Sequence, residues 1–214
     1  MNLAQKKILI FSYYWPPAGG SGVQRWMYFA KYLKQLGYEP IIITVDETKA
    51  SYPVIDSSLI KETNDIRVIK TSTREPLRWY SILISGDRKK GIPQGEVKKR
   101  NLFEKLLAFI RGNYFIPDAR KGWIPFAVKE AKKILKAERI EKLITTGPPH
   151  STHLVGLKLK KQFDLNWWAD FRDPWTDIFY NTSFFRSAKT ISKDQALEKD
   201  CLLYTSDAAD ELRS

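Results

Sequence analysis

Cysteine and histidine, the side chains that most often build metal and redox sites, are scarce in this chain of 214 residues. There is one cysteine, Cys201, and there are two histidines, His150 and His153. One cysteine excludes a disulfide framework and any cysteine-rich metal site, and two histidines leave little material for a zinc site. The apolar fraction of 43% still suffices for a hydrophobic core, which argues against a disordered chain.

Long hydrophobic runs are also missing. No apolar run approaches the roughly 20 residues that a helix needs to cross a bilayer. The first residues lead straight into a strand-like pattern without the small-residue cleavage site of a signal peptide. We therefore expect a cytoplasmic protein, and the length allows one ordinary domain or two small ones.

Acidic residues are in the minority. The chain has 24 Asp and Glu against 36 Lys and Arg, a net charge of +12. Residues 86–136 hold 14 Lys and Arg against 5 Asp and Glu, so most of the excess lies there. Such a segment suits nucleic acid, an anionic membrane surface or phosphorylated substrates. The ordinary alternative is a solvated helix face followed or preceded by a basic loop.

Apolar patterns alternate between strand and helix along the chain. Buried-strand patterns occur at residues 7–13, 40–45, 66–70, 142–146 and 167–171. Amphipathic helix patterns occur at residues 23–36, 101–112, 123–138 and 151–163. Residues 85–100 combine Gly, Pro and charge without periodicity, which predicts a loop. The alternation predicts an α/β fold with a doubly wound, mostly parallel, Rossmann-like sheet.

A glycine-rich loop follows the first predicted strand. Gly19, Gly20, Ser21 and Gly22 stand directly before the first helix pattern. Backbone N–H groups at such a helix start can approach a phosphate, although glycines also serve plain turns. Arg25 occupies the position where a dinucleotide fingerprint needs its third glycine, and no Gly-Lys-Ser/Thr triplet marks a P-loop.

Two further polar loops follow the fourth and fifth predicted strands. In residues 145–152, His150 lies at the loop apex and Ser151 is the expected N-cap of the next helix. A loop histidine is a candidate general base or hydroxyl partner, but more often it is merely solvated. In residues 170–175, two carboxylates and a guanidinium either pair with each other or bind hydroxyls and phosphate. Trp175 offers a face on which a sugar ring could stack.

These loops carry a resemblance to a known family. The runs YYWPPAGGSGVQRW, FIPDARKGW, ITTGPPHSTHLVGLKLKK and WWADFRDPWTD closely resemble the N-terminal domain of bacterial glycosyltransferase family 4 proteins, over residues 6–199. The resemblance implies a GT-B architecture, in which two Rossmann-like domains face a cleft and the N-terminal one holds the acceptor. It also implies retention of the anomeric configuration, a nucleotide-sugar donor, and no metal or cofactor.

The resemblance also implies roles for particular residues. Those expected at the donor diphosphate are Gly19, Gly20 and Ser21. Those expected at the acceptor or the transferred sugar are Arg25, Thr146, Gly147, His150, Asp170, Arg172, Asp173 and Trp175. His150 is a candidate catalytic residue, although the resemblance assigns it no such role. The acceptor is expected to be a surface glycan or a lipid-linked sugar, and residues 98–112 could dock at the anionic inner face of the plasma membrane.

The domain organisation expected from this resemblance is incomplete. Residues 1–200 match the acceptor-side domain, and no donor-binding domain follows, so the chain alone is expected to be inactive. The C-terminal tail (residues 201–214) does not continue the preceding helical period and resembles an in-frame translation of a sequencing adapter, so we expect it to be non-native. Two alternatives remain: a non-catalytic Rossmann-type protein that binds a sugar or nucleotide, and a basic nucleic-acid-binding module. The second is disfavoured because no zinc spacing, helix-turn-helix or aromatic-basic strand is present.

Overall fold

The computed structural model describes residues 6–75, 102–178, 181 and 184–205. The strands in these ranges are β1 Lys6–Ser12, β2 Tyr38–Val45, β3 Arg67–Thr71, β4 Lys142–Gly147 and β5 Asn166–Phe171. The α-helices are α1 Ser21–Gln35, α2 Leu102–Tyr114, α3 Ile124–Ala137, α4 Ser151–Lys160 and α5 Ala188–Tyr204. Short 3-10 helices span Ser57–Thr63 and Lys121–Trp123. The predicted loop at residues 85–100 lies outside the described residues.

The five strands form one sheet in the order β3-β2-β1-β4-β5, and every pairing is parallel. Phe11 of β1 pairs with Ile43 of β2 on one side and with Thr145 of β4 on the other. The predicted α/β fold with a Rossmann-like parallel sheet is therefore confirmed. From β1 the chain adds β2 and β3 on one side of the sheet, and then β4 and β5 on the other side. Ligands of such sheets bind at this reversal, between β1 and β4.

The central strands β1 and β2 are buried on both faces, which explains their continuous apolar runs. Leu9, Ile10 and Phe11 of β1 are fully buried, as are Ile41 to Ile43 of β2. On α3, Ala127 and Ala131 are fully buried, whereas its lysines lie at the protein surface or are only half-buried. The small alanines allow this helix to pack closely against the strands.

The start of α4 differs from the prediction. Ser151 is the first residue of the helix and not its N-cap, so the predicted cap was wrong. The backbone N–H of Ser151 donates to Asp118 at 2.8 Å, and its hydroxyl donates to the same carboxylate at 2.9 Å. A carboxylate from a distant loop thus satisfies the helix N-terminus, a favourable position for negative charge.

Helix α2 exposes part of its apolar side. Leu106 is 54% exposed and Phe109 is 43% exposed, whereas Ala108 is buried. Ile110 lies at the edge of this surface. Leu106 and Phe109 therefore do not pack fully on the core, which was the ordinary alternative to membrane docking for this stretch. Among the described residues, no helix is long and apolar enough to cross a membrane.

Helix α5 continues into the C-terminal tail as far as Tyr204, although residues 201–214 show no helical period that continues the preceding one. Cys201 is fully buried against the core, and this burial raises the pKa of its thiol to about 12. The non-native origin of the tail stays a prediction, and residues 206–214 lie outside the described ranges.

Candidate functional site

A cavity of about 410 Å³ opens at the carboxyl ends of β1 and β4, a volume that suits a small ligand. It gathers residues from all three polar loops. The predicted site residues that line it are Gly19, Gly20, Ser21, Thr146, Gly147, His150, Arg172 and Trp175. Arg25, Asp170 and Asp173 are not among the lining residues.

The glycine-rich loop is fixed by pairing with the segment before the first 3-10 helix. Gly19 donates its backbone N–H to Val54 at 3.0 Å, and Pro17 accepts the N–H of Asp56 at 2.8 Å. A Cβ on Gly19 would lie 2.9 Å from a methyl carbon of Val54, so only glycine fits without movement. The N–H of Gly19 is therefore engaged within the protein, and the first turn of α1 carries the N–H groups that helix geometry leaves unpaired.

Arg172 lies against this first turn of α1. A Cβ on Gly22 would lie only 2.0 Å from Nη1 of Arg172, so the guanidinium occupies the space that the missing side chain leaves. Arg172 also donates to Asp173 at 3.0 Å, in a pair of which each side chain is more than one-third exposed. A cation and the positive end of a helix thus meet at the cavity wall, an arrangement that attracts an anion.

Asp170 joins three elements and does not reach the cavity. Its carboxylate accepts from Arg25 at 2.7 Å, from the indole N–H of Trp26 at 2.7 Å, and from the hydroxyl of Thr146 at 2.9 Å. Three donors to one half-buried carboxylate satisfy it fully. Asp170 therefore pairs with Arg25 of α1 and not within its own loop, where the ion pair is that of Arg172 with Asp173.

His150 lies in the cavity wall and is 7% exposed. Its imidazole stacks on Trp175, with ring centroids 5.2 Å apart and planes at 8°. Burial lowers the pKa of His150, against the opposing charge of Asp118, so the ring is neutral near pH 7. Its Nδ1 is buried and has no hydrogen-bond partner among the described residues.

Trp175 is held in turn by a buried ion pair that the sequence did not indicate. Its indole N–H donates to Asp194 at 2.8 Å, and Asp194 pairs with Arg186. Both ion-pair side chains are at most 7% exposed, and burial raises the pKa of Asp194. Asp194 lies in a helix whose sequence reads as a polar surface helix, so no sequence signal could have found this pair.

The run FIPDARKGW stabilises the loops that line the cavity. Asp118 holds the start of α4, and its Oδ1 also accepts the backbone N–H of Arg120 at 2.8 Å. Arg120 forms an ion pair with the buried Glu75 and donates to the backbone oxygen of Ser51 at 2.9 Å. Both Asp118 and Arg120 line the cavity, although sequence reasoning gave neither a role.

His153 is a packing residue and is fully buried. Its Nδ1 lies 2.9 Å from the hydroxyl of Thr145, and its ring stacks on Phe171 with centroids 4.3 Å apart. Burial lowers the pKa of His153 to about 3, so this imidazole is neutral. Its Nε2 would lie 2.7 Å from a Cβ on Gly147, which explains why the loop needs glycine there.

The chemistry of the cavity is that of anions and hydroxyls. Its described lining residues contribute four guanidinium groups and two carboxylates, those of Arg111, Arg120, Arg172, Arg186, Asp118 and Asp194. Within the described parts of the chain, no three His, Cys, Asp or Glu side chains are grouped as metal ligands would be. The arrangement can bind an oxyanion and orient hydroxyl groups with neutral and charged donors.

Comparison with known proteins assigns the chain to no family. No protein-family model matches the chain, and no curated protein matches it. Among solved structures, it is similar to that of SsfS6, a glycosyltransferase of Streptomyces sp. SF2575, with 14% sequence identity and a TM-score of 0.43. The match covers 96% of this chain and 47% of that one, so the chain spans about half the length of that protein. Fold and cavity together define a Rossmann-like α/β domain with an anion-attracting cleft.

Proposed function

We propose that this chain is the acceptor-side domain of a retaining, nucleotide-sugar-dependent glycosyltransferase of the family 4 type. The proposal rests on the motif resemblance of its three loops and on one observation in the cavity. That observation is the guanidinium of Arg172 held against the first turn of α1, at the sheet position where ligands bind. A site with two positive features and a glycine-lined approach suits the diphosphate of a nucleotide sugar.

In the complete enzyme, this site would act on the leaving group. Negative charge grows on the diphosphate as the bond to the sugar breaks. Backbone N–H groups of Gly20 and Ser21, together with Arg172, would stabilise that charge more strongly as it develops. Because these donors are fixed before the reaction, little reorganisation is needed at the moment of transfer. This proposal therefore assigns Arg172 to the diphosphate, whereas the sequence resemblance placed it with the acceptor.

The acceptor would lie toward His150 and Thr146. The neutral imidazole of His150 has a buried nitrogen without a partner in the described structure, and a sugar hydroxyl would satisfy it. Such a bond orients the acceptor hydroxyl toward the donor sugar. The expected acceptor is a surface glycan or a lipid-linked sugar, and the nucleotide would be held largely by a second domain.

We also propose that α2 docks on an anionic membrane surface. Leu106 and Phe109 expose apolar side chains on this helix, and Lys98, Lys99 and Arg100 precede it in the sequence. Apolar insertion combined with basic residues is the pattern of interfacial helices. A lipid-linked acceptor would then be collected at the surface where it resides.

The diphosphate site can be tested on this chain alone by calorimetric titration with inorganic pyrophosphate. We expect binding by the unmodified chain and a loss of about tenfold or more in Arg172→Gln, because a hydrogen bond to a charged group contributes roughly 1.5–3 kcal/mol. Arg139→Gln removes the same charge from an exposed position outside the cavity and should leave binding unchanged. Absence of binding, or equal weakening in both variants, would overturn the proposal.

A further inference from the structure

Arg186 approaches the cavity from a wall that no predicted loop supplies. This α2–α5 wall consists of Arg111 and Gly112 of α2, and of Phe184 and Arg186 just before α5; all four line the cavity. The Arg186 side chain is 7% exposed, and one of its terminal nitrogens pairs with Asp194. Its Nε–H is buried and has no partner among the described residues.

The position of Arg186 is determined by contacts on both sides. A Cβ on Gly112 would lie 3.1 Å from Cγ of Arg186 and 2.6 Å from Cβ of Phe184, so the two segments touch. Asn113 then holds the chain after Arg186, because its side-chain oxygen accepts from the N–H of Ser187 at 2.8 Å and from the hydroxyl of Thr190 at 2.8 Å. The guanidinium is therefore fixed before any ligand arrives.

The residue before Arg186 has a backbone conformation that bulky side chains rarely adopt. Phe185 has a φ of +48°, and its side chain is 53% exposed. With Phe185 in this conformation, the aromatic ring lies at the surface while Arg186 lies in the cavity wall. Unfavourable backbone conformations of this kind persist where surrounding contacts enforce them, and they concentrate at binding sites.

The wall also carries a second cation. The Arg111 guanidinium lies 5.0 Å from the ring centroid of Phe184, which directs it along the same wall. A buried N–H without an acceptor is costly, whereas a ligand oxygen would satisfy it. Planar guanidinium groups suit phosphate because their parallel N–H groups match two of its oxygens.

We propose that Arg186 and Arg111 form a second oxyanion site in the cavity, one that binds a phosphate group carried by the acceptor. It is built from different elements than the Gly20–Arg172 site. The assignment to an acceptor rests on the proposed function, but the existence of the site does not. A phosphorylated acceptor sugar would then be held at its phosphate by this wall, with a hydroxyl toward His150.

The test observes the Arg186 Nε–H directly by ¹⁵N NMR of the whole chain. Its signal is identified by its absence in Arg186→Lys, which keeps a cation beside Asp194 but lacks that N–H. We expect the signal to shift on titration with inorganic phosphate and with glucose 1-phosphate. Glucose 1-phosphate should have the higher affinity. We expect Arg186→Lys to weaken phosphate binding about tenfold or more. Arg139→Gln should leave the phosphate affinity unchanged. If Arg186→Lys does not fold, Arg111→Gln is the variant in which phosphate binding should weaken.

The outcomes separate this site from the proposed function. A static Arg186 signal under both ligands overturns the second site, whatever happens at Gly20. A shift at Arg186 without any pyrophosphate response at Gly20 and Ser21 supports the second site and contradicts the diphosphate proposal. Affinity for inorganic phosphate equal to or above that for glucose 1-phosphate identifies the free ion as the ligand and overturns the acceptor assignment.

Discussion

Replacing Gly22 by alanine should weaken anion binding without lowering the stability of the fold. The new Cβ would lie 2.0 Å from Nη1 of Arg172, whereas ordinary contacts need about 3.5 Å or more, so the guanidinium must move by at least about 1.5 Å. The obstructing atom is the end of a flexible, half-exposed side chain, so the movement is cheap for the fold. It nevertheless removes Arg172 from the first turn of α1.

The expected effect on stability is neutral or favourable. Alanine stabilises a helix by roughly 0.5–1 kcal/mol relative to glycine, and the exposed pair of Arg172 and Asp173 contributes only about 0–1 kcal/mol. For a domain of this size, a gain of 1 kcal/mol raises the melting temperature by about 2–4 °C. Thermal unfolding should therefore show an unchanged or slightly higher Tm, while pyrophosphate affinity falls about tenfold or more.

Gly156→Ala is the matched control, because it makes the same substitution inside another helix. Its Cβ would lie 2.4 Å from the buried ring of Trp167, so overpacking should destabilise the protein by about 1–3 kcal/mol without affecting the anion site. Gly22→Ala should therefore weaken pyrophosphate binding without lowering stability, whereas Gly156→Ala should lower stability without weakening binding. Unchanged pyrophosphate affinity in Gly22→Ala would refute the role of Arg172.

Four further predictions concern other parts of the molecule. The pKa of His153 is about 3 in the folded state and about 6.5 when unfolded, so the unfolded state binds the proton first. Its contribution to stability should be lost as pH falls below about 6.5, by up to about 1.4 kcal/mol per pH unit, and urea unfolding of His153→Gln should show a flatter pH dependence. Asp194→Asn leaves Arg186 buried without its counter-charge and should lower the unfolding free energy by about 3–5 kcal/mol, measured by urea titration. The chain should co-sediment with anionic but not neutral liposomes, and Leu106→Ser with Phe109→Ser should abolish this; binding independent of lipid charge would contradict docking. Purified alone, the chain should transfer no sugar, and detectable transfer would show that no second domain is needed.

The sheet was largely predictable from sequence because its strands are apolar runs, and those of β1 and β2 are buried on both faces. Residues 7–13 and 66–70 were predicted as strands, and the structure has them at Lys6–Ser12 and Arg67–Thr71. Continuous apolar runs carry this information locally, so no knowledge of distant residues is required. The last turn of α5 is different, because no helical period in the sequence indicates it although Cys201 is fully buried in the core.

The convergence of the loops was predictable, but their partners were not. Parallel strands bring their carboxyl ends to one edge, so polar loops after β1, β4 and β5 had to meet. The partner of Asp170 is Arg25, 145 residues away, and the cap of Ser151 is Asp118, 33 residues away. Nothing in the local sequence distinguishes a carboxylate that binds a ligand from one that binds another loop.

The polar residues of the recognisable runs mostly hold the cavity together. Asp118 connects FIPDARKGW to the start of α4, and Asp170 connects WWADFRDPWTD to both α1 and β4. A carboxylate that already accepts two or three hydrogen bonds has little capacity left for a ligand. In the proposed site, ligand binding would then depend on other groups: the N–H groups at the start of α1, the buried Nδ1 of His150, and guanidiniums such as Arg172 at the wall. The motifs therefore specify the shape of the cleft first, and substitutions at Asp118 or Asp170 should disturb folding before they disturb binding.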